Sequence, residues 1–595
     1  MAAALCLNSV AERKIDYTNI MTASDKHIAE IKDQLVSIQE TIAQRHREYT
    51  ESVDHDVVSS THALSAKLTT NNWKDLFSTK HRHLNLTSLP PLKSVAEKMF
   101  RWQQQSMHLN ARQEDFFLRV DCAASLKVLP TELFWAHSTT DAMTSAIQHF
   151  DWQSNDLCIR TNMEHSGGVG ALSIALNRYD IAPITPGTAA YIHPEAEEEY
   201  PDGVFAIFSD GNVLNLPTGI ASKAIPSVGY PVYSTNYDEQ FFTARLKGRL
   251  EHIIENSDAP FKLLFFSSPS AITGIRLPEQ QLAEWAWLNQ GFSFVDGAHM
   301  LGMANMNLHR MGIDFFAASG HKWQTAPQHV GLAYIRRGHQ ESNTTKKIIL
   351  PDGDMIDYPV APYRNPSPIT RFWSPTAPIT KTEKNHDTHL SIPVLETHGL
   401  DYKALHTFRE TSVLWDHLGR DLIEQYIVLL SQYLRWRLSE IRPIEALYTE
   451  FRKSEGNHWT DVWHPVDDAA DFPTHLKTGM TAWQPCAVKD KYHDQPYVDS
   501  NAPLTESMAT QQHKKMTVLL NTLANRFGIH VRSTRCPHQL RTPSGLYSAN
   551  LDQNLGPVTA SSAFRFSTNL YHQIEDIDRL INALTHPDMM TLYEA

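Results

Sequence analysis

FVDGAHMLGMANMNLHRMGIDFFAASGHKW, residues Phe294 to Trp323, is the stretch that decides the fold. An apolar run ends in Asp296, a Gly-Ala-His turn follows, and a second apolar run, GIDFFAAS, delivers Lys322. Twenty-six residues separate the acid from the amine, which suits a strand, a crossing segment and a neighbouring strand. Both groups then stand at one sheet edge, where open α/β sheets bind ligands. Bare spacing is met equally well by a strand-end Asp and a surface Lys, so the neighbouring sequence has to decide.

Outward from this stretch, short apolar runs alternate with helical patterns from about residue 130: LFWAHSTTDAMTSAIQHF, DLCIRTNMEHSGGVGALSIAL, FKLLFFSSPS with LPEQQLAEWAWLNQ, then FSFVDGAHM. Strand, loop and helix in repetition read as an α/β unit with a largely parallel sheet. Residues 1–72 read as an N-terminal helical extension. Ile28, Ile31, Leu35, Ile38 and Ile42 form one apolar stripe there, behind a Thr22-x-x-Asp25 capping signal. The stripe fits either a short coiled coil pairing subunits or a helix packed on its own body.

The large domain is expected over 73–394, its last part, 339–394, being a long Pro-, Thr-, Asn- and His-rich connection; the His-Arg-His run at 81–83 reads as a solvated turn. A smaller C-terminal α+β domain follows over 395–595, opening with the strongly helical ALHTFRETSVLWDHLGRDLIEQYIVLLSQYLRWRLSEI and closing with EDIDRLINAL. About 450–545 reads as an irregular, polar insertion within it.

A chain of 595 residues that is 42 % hydrophobic, with 13 Trp, has ample material for several packed units. The net charge of −13 disfavours nucleic-acid and membrane-surface binding and leaves a small molecule as the expected partner. Five scattered cysteines without a CxxC pair fit a reducing, cytoplasmic compartment. Neither a signal peptide nor a membrane anchor is expected from the apolar runs. His386 and His389 form an HxxH pair with no carboxylate at ligand spacing, so no metal site is expected.

The string VDGAH, followed by SGHKW and AP..VGLAYIR, resembles the signature of aminotransferase class V proteins, nearest their isopenicillin N epimerase-like and cysteine desulfurase-like members. Further segments fall in the matching order: NLTSLPPLKSVAEKMFRWQQQ, HSTTDAMTSAI, TNMEHSGGVGAL, SSPSAITGIRLP and FRFSTNLYHQIEDIDRLINAL. The resemblance covers about residues 80–340 well, and 395–440 and 560–585 less closely. It implies the fold-type-I α/β architecture of pyridoxal 5′-phosphate (PLP) enzymes: a large domain with a mainly parallel, seven-stranded-type sheet, a smaller C-terminal domain, and a homodimer.

By that resemblance Lys322 carries the coenzyme as a Schiff base and then serves as the base. Asp296 pairs with the protonated pyridine nitrogen, His299 contacts the phenolic oxygen, and His165 stacks on the ring. Ser138, Thr139 and Thr140, at a strand-to-helix turn, face the phosphate together with Ser319 and His321. Arg565 takes the substrate carboxylate, a task suited to a planar bidentate donor. Each residue also has an ordinary structural reading, an N-cap for the Ser-Thr-Thr run or a surface ion pair for the arginine.

Departures from the family pattern are visible. The glycine-threonine pair that lends a phosphate contact across subunits is not recognisable in ITKTEKNHDTHLSIP, and Ala271 stands where many members carry Asn. The expected chemistry is epimerase-like or carbon–sulfur lyase action at the α- or β-carbon of an amino acid. Rivals are an aminotransferase, a cysteine desulfurase using Cys536 in the loop-like RCPHQLRTPSG, and a non-catalytic scaffold of the same fold.

Overall fold

The computed structural model describes residues 17–56, 111–150, 152, 156–160, 164–165, 167–168, 170–172, 206–207, 222–224, 227–228, 250, 254, 260–271, 274, 276–336, 346–349, 355–358, 396, 400–439, 478–483, 506–537 and 560–594. Its centre is a seven-stranded sheet. In chain order the strands are β1 (Leu133–Ala136), β2 (Leu157–Arg160), β3 (Ala206–Ile207), β4 (Ser222–Ala224), β5 (Ser227–Val228), β6 (Phe261–Ser267), β7 (Phe292–Asp296), β8 (Phe315–Ser319) and β9 (Gly331–Ile335). The sheet order is β1-β9-β8-β7-β6-β2-β4, with β3 and β5 paired separately. Neighbours from β8 through β4 run parallel, while β9 lies antiparallel between β8 and β1. The chain ends of β1, β2, β6, β7 and β8 therefore share one edge, joined there by the start of β9.

Continuous apolar runs are what a sheet covered on both faces requires. Alternate residues of β8 divide between the two sides: Phe315 and Ala317 pack with Phe294 and Phe265, and Phe316 and Ala318 with Val295 and Phe266. The first side is closed by α3 (Thr139–Gln148) through Met143, Ala146 and Ile147. The second is closed by α2 (Ala111–Leu126), α4 (Glu279–Leu288) and α6 (Tyr402–Leu418), through Leu118, Leu282, Trp285, Leu405 and Phe408. A four-residue turn of helix, α5 (Leu308–Met311), links β7 to β8.

The Ile28–Ile42 stripe lies on α1 (Tyr17–Asp56) and packs onto α6 and α7 (Arg420–Ser439), among Leu414, Trp415, Leu418 and Tyr426. Gln39 Nε2 donates to Tyr426 Oη at 2.6 Å, and Arg45 Nη1 to the Leu418 carbonyl at 3.1 Å. The helix starts at Tyr17, so Thr22 and Asp25 lie inside it rather than ahead of it. A capping signal contributes only about 1 kcal/mol, which does not stop a helix whose later turns are packed.

Two segments carry more regular structure than their composition suggests. The 339–394 connection contains a hairpin, β10 (Lys346–Ile349) with β11 (Met355–Tyr358). The 450–545 stretch supplies β12 (Met480–Trp483), α8 (Glu506–Phe527) and β13 (Arg532–Pro537), and both strands flank β14 (Ala560–Ser567) in one antiparallel sheet. Met516, Leu519 and Leu523 of α8 are buried among Gln, Lys and Thr, a stripe that reads as loop when its neighbours are so polar. Cys536 therefore belongs to a paired strand, opposite Ser561, and not to a loop. The last helices are α9 (Ile574–Leu584) and α10 (Pro587–Glu594). His81–His83, His386, His389 and the ITKTEKNHDTHLSIP segment lie outside the described residues.

Candidate functional site

The shared strand edge gathers Ser138, Thr139, Thr140, His165, Asp296, His299, Ser319, His321 and Lys322. Asp296 ends β7, 4 % exposed, with Oδ1 accepting from the Ala298 N–H at 3.0 Å. Gly297 makes this turn feasible: a Cβ there would sit 2.0 Å from the Phe316 ring. Burial pushes the Asp296 carboxyl above its ordinary range, while the charges of Lys322 and His165 and the Ala298 N–H pull it back. An acid poised this way favours a fixed cation beside it.

Lys322 follows β8 by three residues and is held in a largely buried turn. Burial lowers its amine to about 8, Asp296 opposes that shift, and Arg565 and Arg532 add to it. His299 stands against it, Nε2 at 3.4 Å from Lys322 Nζ. Trp323 Nε1 donates to His299 Nδ1 at 3.1 Å, which makes Nδ1 the acceptor and places the imidazole proton on Nε2. Burial holds His299 well below its usual pKa, so the ring is neutral and directs an N–H toward the lysine region. Trp323 is thus a positioning residue that the sequence did not reveal. Thr325, fully buried, adopts φ of 57° three residues after the lysine, a conformation β-branched residues avoid.

At the edge of β1, Ser138 caps α3 by accepting from the Asp141 N–H, so its hydroxyl serves the ordinary capping role as well. Thr139 Oγ1 donates to Ser319 Oγ at 2.9 Å and ties the helix start to the end of β8. Gly331 is required here because a Cβ would lie 2.5 Å from the Ser138 carbonyl carbon. Thr140 faces Gly167, whose Cβ would meet Thr140 Oγ1 at 2.4 Å and His165 Nδ1 at 3.2 Å. His165 is anchored from below: Glu164 Oε2 accepts from Ser267 Oγ at 2.5 Å, and Ser267 pairs in register with Asp296. Desolvation first, and the Lys322 charge next, lower the His165 pKa, with Asp296 opposing.

The small domain contributes Arg565 from β14. It is 5 % exposed, Nη1 donates to the Ala271 carbonyl at 2.5 Å, and buried Nε has no partner. His321 Nδ1 is likewise buried and unpartnered, and burial and Lys322 lower its pKa to about 4. Burial also brings Arg565 down to about 10, helped by Arg532, which lies directly across the strand pair. The sequence pointed to Arg565 and missed Arg532, although the alternation in IHVRSTR was the available signal.

The ensemble has the donors and acceptors that PLP requires: an amine for the aldehyde, a buried carboxylate for the ring nitrogen, a neutral imidazole N–H, and a helix N-terminus with hydroxyls for a phosphate. The unpartnered His321 Nδ1 and Arg565 Nε are the kind of buried donors that an anionic ligand satisfies. Cys122 and Cys158 are buried, their thiols pushed up to about 12, and they are poor nucleophiles. Among the described residues no group of three metal-ligating side chains occurs and no helix is long and apolar enough to cross a membrane.

The aminotransferase class V family model matches residues 238–380, which hold Asp296, His299, Ser319, His321 and Lys322. That family is PLP-dependent, and the match bears out the expected resemblance and coenzyme class. The chain is similar to isopenicillin N epimerase of Streptomyces clavuligerus, 41 % identical over 80 residues, 13 % of this chain and 20 % of that protein. It is also similar to a probable cysteine desulfurase of Halalkalibacterium halodurans, 27 % identical over 110 residues, 18 % and 26 % of the two chains. The alignments thus span about a fifth to a quarter of these relatives' length. Among solved structures, a cysteine desulfurase from Thermococcus onnurineus NA1 superposes with a TM-score of 0.46 at 13 % identity, covering 85 % of this chain and 94 % of that one.

Proposed function

We propose that this chain is a PLP-dependent enzyme acting at the α- or β-carbon of an amino acid or amino-acid-derived substrate, by epimerase-like or carbon–sulfur lyase chemistry. The observation that carries the reading is the Lys322 amine, its pKa lowered to about 8 by burial, within the field of the Asp296 carboxylate and faced by the His299 Nε2–H. Bound PLP would supply an aldehyde for the amine and a pyridinium ring able to accept an electron pair from the α-carbon.

Each residue's part in the reading follows from its placement. Asp296 would hold the ring nitrogen of bound coenzyme protonated, and its buried position would make that ion pair strong. The first-turn amides of α3, with Thr139, Thr140, Ser319 and His321, bind the phosphate; Ser138 shapes the cap. His165 would cover one face of a bound ring, and His299, whose Nε2 carries the proton, would donate to its phenolic oxygen. Arg565 binds the substrate carboxylate with its Nε and free guanidinium edge, which orients the α-carbon relative to Lys322. Lys322 then accepts or returns a proton at Nζ, a task matched to a pKa of about 8.

Cysteine desulfuration is the second reading, favoured by the position of Cys536 four residues along β13 from Arg532. The proposal also takes the protein to be a cytoplasmic homodimer with no nucleic-acid or membrane partner. Its test is to incubate holoenzyme with single amino acids in deuterium oxide, follow the α-proton by NMR, and identify products by mass. Exchange that is lost in Lys322→Ala supports the reading. A keto acid formed without ammonia, its amine retained on the coenzyme, selects the aminotransferase alternative; alanine formed as sulfur is lost from cysteine selects the second reading; a keto acid with ammonia and sulfide is the carbon–sulfur lyase outcome; and no exchange with intact coenzyme binding favours a scaffold.

A further inference from the structure

Arg532 opens β13 directly opposite Arg565 of β14. Residues opposed in an antiparallel pair project from the same sheet face, with Cβ atoms about 5 Å apart. Arg565 is buried and Arg532 exposed, so on that shared face one arginine lies deep and the other reaches solvent. The charge of Arg532 is felt at Lys322, His165 and His299, so it lies near the site.

Like charges directly opposite each other destabilise a sheet. Among the described residues no carboxylate forms an ion pair with either arginine, and Arg565 Nε has no hydrogen-bond partner. Among the described residues Asp296 is the acid whose charge acts on Lys322, and its expected partner is the coenzyme ring. One planar guanidinium satisfies one carboxylate in a bidentate pair. A substrate with a single carboxylate would leave the second arginine uncompensated.

We propose that Arg532 is a specificity-determining residue that binds a second carboxylate of the substrate while Arg565 holds the first, so that the enzyme takes amino acids with an additional carboxylate on a short side chain. The proposal rests on the role given to Arg565 under the proposed function. The short distance across the strand pair limits the separation of the two acids to a few carbon atoms.

Glutarate and pentanoate test this, because neither has an amine and both bind without reaction. Dissociation constants for the two acids would be measured calorimetrically on holoenzyme, on Arg532→Gln, on Arg532→Lys and on Arg565→Gln. Wild type is expected to bind glutarate at least about tenfold tighter than pentanoate. Arg532→Gln should abolish that preference while changing pentanoate affinity by less than about twofold, Arg532→Lys should keep part of it, and Arg565→Gln should weaken both acids. Equal loss of both acids in Arg532→Gln, meaning that two arginines share one carboxylate, would overturn the proposal, as would equal affinities in wild type. The visible absorbance of bound coenzyme, recorded on the same samples, reports separately on the underlying reading: its absence there defeats the coenzyme assignment whatever the two acids do.

Discussion

The pH dependence of coenzyme capture follows from the surroundings of Lys322. Capture requires the unprotonated amine. A lysine at its ordinary value of 10.5 is about 0.03 % neutral at pH 7, whereas one lowered to about 8 is about 10 % neutral. The site therefore offers about 300 times more nucleophile than a free lysine side chain, before any gain from orientation. The assay is the rate of absorbance change when PLP is added to coenzyme-free protein from about pH 6 to about pH 10, divided by the rate per neutral amine of a blocked lysine under identical conditions. The division cancels the titration of the coenzyme itself. The rate should rise with pH and reach half its maximum near 8. Asp296 raises the lysine's pKa, so Asp296→Asn should move the midpoint to lower pH; Arg565 lowers it, so Arg565→Gln should move it to higher pH. A midpoint near 10.5, or one that neither substitution moves, would refute the reasoning.

Further outcomes follow from the supports of the site. Gly331→Ala would drive a Cβ against backbone atoms of Ser138 that have no room to yield, and should cost about 1–3 kcal/mol while weakening coenzyme affinity in a spectroscopic titration. Unchanged affinity would argue against a phosphate site at the start of α3. Ile42→Ala removes a side chain only 1 % exposed from the junction of α1 with α6 and α7, so denaturant unfolding should show a loss of about 2–4 kcal/mol with the sedimentation coefficient unchanged. Dissociation of an oligomer would restore the coiled-coil reading of that stripe. Cys536→Ser should leave α-proton exchange intact, and loss of sulfide release from cysteine in that variant would instead establish the desulfurase reading.

The large domain was legible because its information is local. Each strand is a short apolar run whose next residues are the functional ones, so Asp296 and Lys322 stand where chain direction alone places them, at the ends of β7 and β8. The parallel arrangement then brings the ends of β1, β2 and β6 to the same edge. What stayed hidden is pairing between distant segments. Arg532 gains its meaning only from lying opposite Arg565, thirty-three residues later. Trp323 matters through the tautomer it imposes on His299, a contact that no spacing rule supplies. Helix α8 was obscured by polar residues on three sides of its buried stripe, and Cys536 by a Pro-rich sequence that nevertheless begins as a strand. The cap at Thr22 was outweighed by packing farther along α1.

The chamber is a compromise between stability and chemistry. Burial makes Lys322, Asp296, His299 and Arg565 all depart from their ordinary ionisation, and an unpartnered guanidinium nitrogen remains in the core. Such groups weaken the unliganded protein, and an anionic coenzyme and substrate relieve them, so coenzyme binding should also raise thermal stability. The most direct measurement is to reduce the PLP-loaded protein with borohydride, digest it, and locate the added mass. The account predicts a single modified peptide carrying the coenzyme on Lys322; a modified lysine elsewhere, or no modification of a protein that binds PLP, would contradict it.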